Sequence, residues 1–306
     1  MGNPPMSEHY PRIHTHARNG HPIREGLSLC FYMKRSHVEM VQAVMQSLDA
    51  YLRVVGPQML QWYLDHEGQW QDLDEAGWEL TRRELLERHR LHIDLLGSDG
   101  GQRYRFTYYG KTPENPFRPG NTGEVCALSI WIPTEYLEDH GPGRVRELAL
   151  ELASTLPLCS GHVGLSFHCD THLVGVDRKL HEYCFRYPGL DIPELDHLTL
   201  NLGTRVRSPA WLTFLGQPVL GELGGVEGLR ARLSSPGTTV QELNGDRAVV
   251  TLGPWPEAGD TEQGQMLPAY RELARVLEPW LYYKDPERLR FPYPEETRRW
   301  ERRFLD

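Results

Sequence analysis

Eight side chains that could hold a metal ion or activate a nucleophile crowd into 26 positions of the chain: Cys159, His162, His168, Cys169, Asp170, His172, His181 and Cys184. Zinc takes Cys and His ligands, so a zinc-dependent hydrolase using the His162–Cys184 region is the first chemistry to weigh. Structural zinc sites pair their ligands roughly two to four residues apart in both halves. Cys159 with His162 and His181 with Cys184 keep a two-residue gap, but Cys169 points away from His162 and His168 if a strand runs through them. That balance favours satisfied core and surface side chains over bound metal. A Cys–His nucleophile fails on the same geometry, because His168 and Cys169 would project to opposite faces. Gly164-Leu165-Ser166-Phe167-His168 places His168 where a nucleophile elbow needs a second small residue.

No Gly-x-x-x-x-Gly-Lys-Ser/Thr phosphate loop occurs, and Gly221, Gly224, Gly225 and Gly228 read as caps and turns. Carboxylates cluster at Glu135, Glu138 and Asp139 and at Asp72, Asp74 and Glu75. An acidic surface supplies such clusters by chance, and nothing marks one as buried. The residues by themselves assign no catalytic group, no metal and no cofactor.

The chain has 306 residues, 39% of them apolar, with 42 acids against 33 Lys and Arg for a net charge of −9. That length suits one large domain or two modest ones. The first 24 residues carry +2 and the last 22 are balanced, so the middle holds −11. Such a body repels phosphate backbones and disfavours nucleic-acid binding by the chain itself, while speeding encounter with a basic protein surface. Five cysteines without a CxxC pair read as free buried thiols. The first residues lack an apolar signal core and no apolar run reaches about 18 residues, so the expected setting is the cytoplasm, away from membranes.

The elements that must position these groups can be read from periodicity. Residues 1–24, rich in Pro, His, Arg and Asn, suggest a flexible arm with order beginning near Gly26; its His9, His14, His16 and His21 make a poor preformed metal site. Leu27, Leu29 and Phe31 suggest a strand, and Val38, Val41, Met45, Leu48, Leu52 and Val55 one helical face ended by Gly56-Pro57. A helix is expected over Asp74–Arg88, then a hairpin of Leu91–Leu96 and Arg103–Tyr109 turning at Gly97-Ser98-Asp99-Gly100-Gly101. A loop with Pro113, Pro116 and Pro119 leads to a strand at Val125–Ile132. A helix follows Pro133, bends around Gly141-Pro142-Gly143 and continues to Leu156.

Cys159–Cys169 reads as a strand with Val163, Leu165 and Phe167 on one face and His162, Gly164, Ser166 and His168 on a wet or partly polar one. Further strands fit Trp211–Leu215, Thr239–Leu243 and Ala248–Leu252, the last two joined by an Asn244-Gly245 turn. Helices fit Val219–Leu223, Val226–Leu233 and Leu267–Leu281. The tail Phe291–Asp306 reads as a short amphipathic helix around Trp300. The fold class is α+β, with mixed, largely antiparallel sheets under packed helices, as a single compact unit or two β/α halves.

Several motifs in order resemble the bacterial type VI immunity family, TsiV, from about Gly26 to Leu281. They are Gly26-Leu27-Ser28-Leu29, Tyr108-Tyr109-Gly110, Pro133-Thr134-Glu135-Tyr136-Leu137, Leu156-Pro157 through Gly164-Leu165-Ser166, and Arg186-Tyr187-Pro188-Gly189-Leu190-Asp191. Trp211-Leu212-Thr213-Phe214-Leu215-Gly216 and Pro268-Ala269-Tyr270-Arg271-Glu272-Leu273-Ala274 continue the series. The resemblance implies a cytoplasmic immunity protein that binds and neutralises a secreted VRR-NUC nuclease effector, without catalysis or cofactor. It also implies an immunity-like domain over 25–290, with a subdivision near 157 left open, between the arm at 1–24 and the tail at 291–306. For the partner-binding face, Glu135, Glu138, Asp139, Asp72, Asp74 and Glu75 are the candidates, since they cluster in turns and helix ends. A non-catalytic scaffold of the same fold with another partner also remains open.

Overall fold

A computed structural model describes residues 8–17, 20–98, 102–112, 120–192, 194–284 and 293–306. Its strands are β1 His14–His16, β2 Pro22–Met33, β3 Trp62–Leu64, β4 Trp70–Asp72, β5 Leu91–Leu96, β6 Arg105–Gly110, β7 Cys126–Pro133, β8 Ser160–His168, β9 Leu212–Leu215, β10 Thr238–Leu243 and β11 Arg247–Leu252. The helices are α1 His37–Val55, α2 Glu75–Glu87, α3 Thr134–Thr155, α4 Val176–Cys184, α5 Leu195–Asn201, α6 Val219–Glu222, α7 Gly225–Arg230, α8 Pro268–Leu277 and α9 Pro294–Glu301. One sheet runs β10-β11-β9-β8-β2-β7-β6-β5-β3-β4, every ladder between named strands being antiparallel. β2 is its spine. It pairs with β8 on one side and with β7 on the other as far as Gly26, beyond which β1 takes the place that β7 has left.

Local chemistry explains many of the boundaries. Ser36 and Glu39 form a capping box at the start of α1, and Gly56 ends it at φ 99°. The kink in α3 falls at Gly141, φ 77°, just before Pro142. Asn244 and Gly245 both take positive φ between β10 and β11, as a tight hairpin turn with strand-like twist requires.

The odd residues Leu27, Leu29, Phe31 and Met33 of β2 face the core beneath α1 and α3. Val250 and Leu252 face a second core with α8 on the opposite side of the sheet. Cys30, Tyr32 and Ala127 face a smaller one under Leu198 of α5 and Leu202 just beyond its end.

Three expectations are revised. Order does not wait for Gly26: β1 pairs with β2, and Tyr10 and Ile13 are buried. The reason is Glu25, whose carboxylate is completely buried and accepts from Ile13 N at 2.6 Å, so the preceding segment must fold over it. The face of β8 read as wet is covered, and all nine residues are buried. On α1 the buried stripe is Met40, Val44, Ser47, Leu48, Tyr51 and Val55, while Val38 is 57% exposed. His37 and Ser47 can be buried because His37 meets Tyr108 Oη and Leu85 O, and Ser47 donates to Ala43 O. Glu272 ties α8 to the segment that follows α7. Burial raises its pKa, but the Ser234 hydroxyl and the backbone N–H groups of Ser234 and Ser235, all donating to it, outweigh this and bring it down to about 2.

The strands β1, β3 and β4 and the helices α4 and α5 had no counterpart in the periodicity. Pro113, Pro116, Pro119 and the residues Asp99-Gly100-Gly101 of the hairpin turn lie outside the described residues.

Candidate partner-binding surface

The Cys and His residues read as potential chemistry are scattered by the fold. Cys30, Cys126, Cys159, Cys169 and Cys184 are all buried and joined in no disulfide, and burial pushes the thiols of Cys30 and Cys159 up to about 11. His168 places one ring nitrogen 2.9 Å from Gln102 O and the other 3.0 Å from Leu27 O, with its ring stacked on Trp131. Burial drives its pKa down to about 3 despite those carbonyls. His162 stacks on Tyr32 and lies 3.8 Å from Asp191 Oδ2; burial lowers it to about 4, outweighing the opposite pull of Asp191. Both imidazoles are neutral at pH 7. The cavity beside His162, Ser28 and Asp191 measures ≈ 10 Å³, room for no more than about one water. His172 and His181 lie nearer the surface, against Asp196 and Glu296. Among the described residues no three His, Cys, Asp or Glu side chains gather as a metal site.

A denser charged cluster, invisible in the sequence, lies inside. Arg207 Nη1 meets Glu301 at 2.7 Å, and Nη2 lies 3.8 and 3.9 Å from Asp191 and Glu194. Arg303 reaches Asp191 at 3.0 Å and Lys284 reaches Glu194 at 2.6 Å. Burial alone would raise the Asp191 pKa, but Arg207, Arg303 and His162 bring it below the usual carboxylate range. With Trp300 fully buried, this cluster fastens α9 to the body. Its chemistry is that of a clamp.

The six candidate acids divide into two groups at one end of the sheet. Trp131 of β7 stands opposite Arg105 of β6, Arg105 opposite Leu96 of β5, Leu96 opposite Trp62 of β3, and Trp62 opposite Asp72 of β4. Glu135 follows directly on β7, so four strand spacings, about 19 Å, separate the two groups.

Glu135 and Glu138 are answered from within. Arg24 donates to Glu135 at 2.6 Å, and Arg12 bridges Glu138 and the buried Glu25. Burial works to raise the Glu135 pKa, but its own backbone N–H, Arg24 and Arg103 outweigh it and the net shift is downward. Asp139 is exposed.

Asp74 accepts from Gly77 N at 2.9 Å as the N-cap of α2, while Asp72 and Glu75 are exposed. Here the fold adds residues that had not been singled out. Opposite positions share a face, so Trp62, Leu64, Trp70 and Asp72 stand together, with Trp70 43% exposed. Asp65 pins the turn between β3 and β4 by accepting from Glu67 N, Gln69 N and Gln71 Nε2. Three tryptophans between positions 62 and 78 were the one available signal, and three-residue strands gave it no period.

The family model described as type VI immunity for VRR-NUC, TsiV, matches residues 43–304. No curated protein matches the chain. A solved structure of a Pseudomonas aeruginosa T6SS protein resembles it with a TM-score of 0.77 at 21% identity, over 96% of this chain and 87% of that one. At that identity the likeness is one of fold. No helix among the described residues is long and apolar enough to cross a membrane. Because the matched span takes in most of the sequence, the chain belongs to the TsiV family of type VI immunity for VRR-NUC.

Proposed function

We propose that this chain neutralises a VRR-NUC nuclease effector of a type VI secretion system by binding it stoichiometrically in the cytoplasm, making and breaking no bond itself. Family membership over residues 43–304 is the observation that carries the reading. Charge supports it: a nuclease must present a basic surface to DNA, and this chain has a net charge of −9. In this reading the partner is the effector protein, the chain touches neither nucleic acid nor membrane directly, and Glu135, Glu138, Asp139, Asp72, Asp74 and Glu75 are the first acids to test at the contact. Charge pairing would set the rate of encounter and a few desolvated anchors the lifetime of the complex.

The test is co-expression with a VRR-NUC effector, sought first in the neighbouring gene, where this reading expects it. Rescue of the host from nuclease toxicity, with equimolar co-purification, is the expected result. Continued toxicity with no complex would overturn the reading, as would turnover of a substrate by the pure protein that a single Cys or His replacement abolishes.

A further inference from the structure

We infer that the outlying unit formed by β3, β4 and α2 is the surface that receives the effector, its acids matching a Lys- and Arg-rich polypeptide surface and Trp70 serving as the apolar anchor. The inference rests on the immunity reading and deepens it by naming the surface.

Charge is concentrated there. Between Trp62 and Glu87 the chain carries eight acids against Arg82 and Arg83, a net of −6 within a molecule of −9. Many acids elsewhere are met by arginines of the same chain, as in Glu135 with Arg24, Glu124 with Arg90, Asp94 with Arg105 and Asp260 with Arg186. Asp72, Glu75 and Glu79 form no ion pair with any described residue. Of the basic residues that follow, Arg88 folds back on Glu84 and Arg90 turns to the buried Glu124. The field of this unit is therefore directed outward.

Shape and apolar surface coincide with the charge. β4 ends the sheet, and all three of its residues are exposed. A groove of ≈ 570 Å³ lies between the hairpin and α2, lined by Asp72, Asp74, Glu79 and a single cation, Arg83, with Tyr63 and Leu80 along its walls. An arginine or lysine side chain fits such a groove, its apolar stem along Tyr63 and its head at Asp74 and Glu79. Around the edge, Trp70 shares a face with the half-buried Trp62 and Leu64. Tryptophan is enriched among the anchors of interfaces, with polar and charged groups at the rim around them. The unit holds its shape before any partner arrives, through the Asp65-pinned turn, the Asp74 cap and the packing of Gly77 against Tyr63. Little ordering entropy opposes docking there.

The experiment measures binding kinetics of the purified chain against a nuclease-inactivated form of the VRR-NUC effector that the co-expression test identifies. Two variants test the surface: the triple Asp72→Lys, Glu75→Lys, Glu79→Lys, and Trp70→Ala. A matched triple at the opposite sheet edge, Glu227→Lys, Glu242→Lys, Asp246→Lys, controls for total charge. Each is first checked for an unchanged circular dichroism spectrum, since every position is exposed.

The surface triple should slow association by about tenfold or more, and Trp70→Ala should speed dissociation by about tenfold, with the control triple within about threefold of the parent. Parent-like binding by both surface variants would place the contact elsewhere and leave the immunity reading standing. Equal loss in the control triple would reduce the effect to net charge and overturn the named surface. Failure of the parent chain to bind would remove the surface and the immunity reading together.

Discussion

His168 and His162 are buried bases held without charge, and that makes the fold acid-sensitive. Their folded pKa values, about 3 and about 4, lie below the ordinary value near 6.5. Below pH 6.5 the unfolded chain therefore binds more protons than the folded one, so stability rises with pH. The contribution is complete above pH 6.5 and is lost progressively as pH falls toward 4 and then 3. Urea midpoints measured between pH 7 and pH 4.5 should decline, and His162→Gln should lessen the slope by up to about 1.4 kcal/mol per pH unit. A parallel decline in parent and variant would clear His162 of the effect. Gly26 is constrained by the same site, since a Cβ there would lie 2.1 Å from the His168 ring. The ring is held by two carbonyls and by Trp131, so Gly26→Ala should destabilise by about 1–3 kcal/mol in denaturant unfolding. Both histidines could be placed on a strand from their sequence. That their face is dry could not, because what covers it is remote in the chain: Gln102 O on His168 and Asp191 near His162.

At the scale of elements, α9 shows how a segment that is weak alone becomes fixed. Eight residues cannot hold a helix in water, since nucleation dominates at that length. It is held by Trp300 against Phe185 and by the ion cluster in which Glu301 meets Arg207. Replacing Arg207 with Ala would leave Asp191, Glu194 and Glu301 buried without their shared cation. A loss of about 3–5 kcal/mol is expected, read as a lower urea midpoint. An unchanged midpoint would mean that the cluster is wetter than its geometry implies. The amphipathic tail helix was legible from Trp300 and its flanking charges. Its docking site was not, because Asp191 and Arg207 lie roughly a hundred positions away. The acids Glu135 and Glu138 carry the same lesson in reverse: exposed by their spacing, they are neutralised by Arg24 and Arg12 from a segment that composition alone described as an arm.

For the whole molecule, the consequence of charge is kinetic. If the effector is met through an acidic surface, raising ionic strength from low to about 0.5 M should slow association by roughly tenfold and leave dissociation little changed. A rate indifferent to salt would count against charge-guided encounter anywhere on the chain. The sequence by itself determined the kinds of element, the Asn244-Gly245 turn, the α+β class and the family, because side-chain period, turn chemistry and ordered motifs are local properties of a chain. Only the tertiary structure decided which acids are answered and which face outward, that the segment before Gly26 belongs to the sheet, and that β3 and β4 extend its edge. Those outcomes depend on pairs of residues distant in sequence and on strands three residues long, and neither leaves a periodic trace.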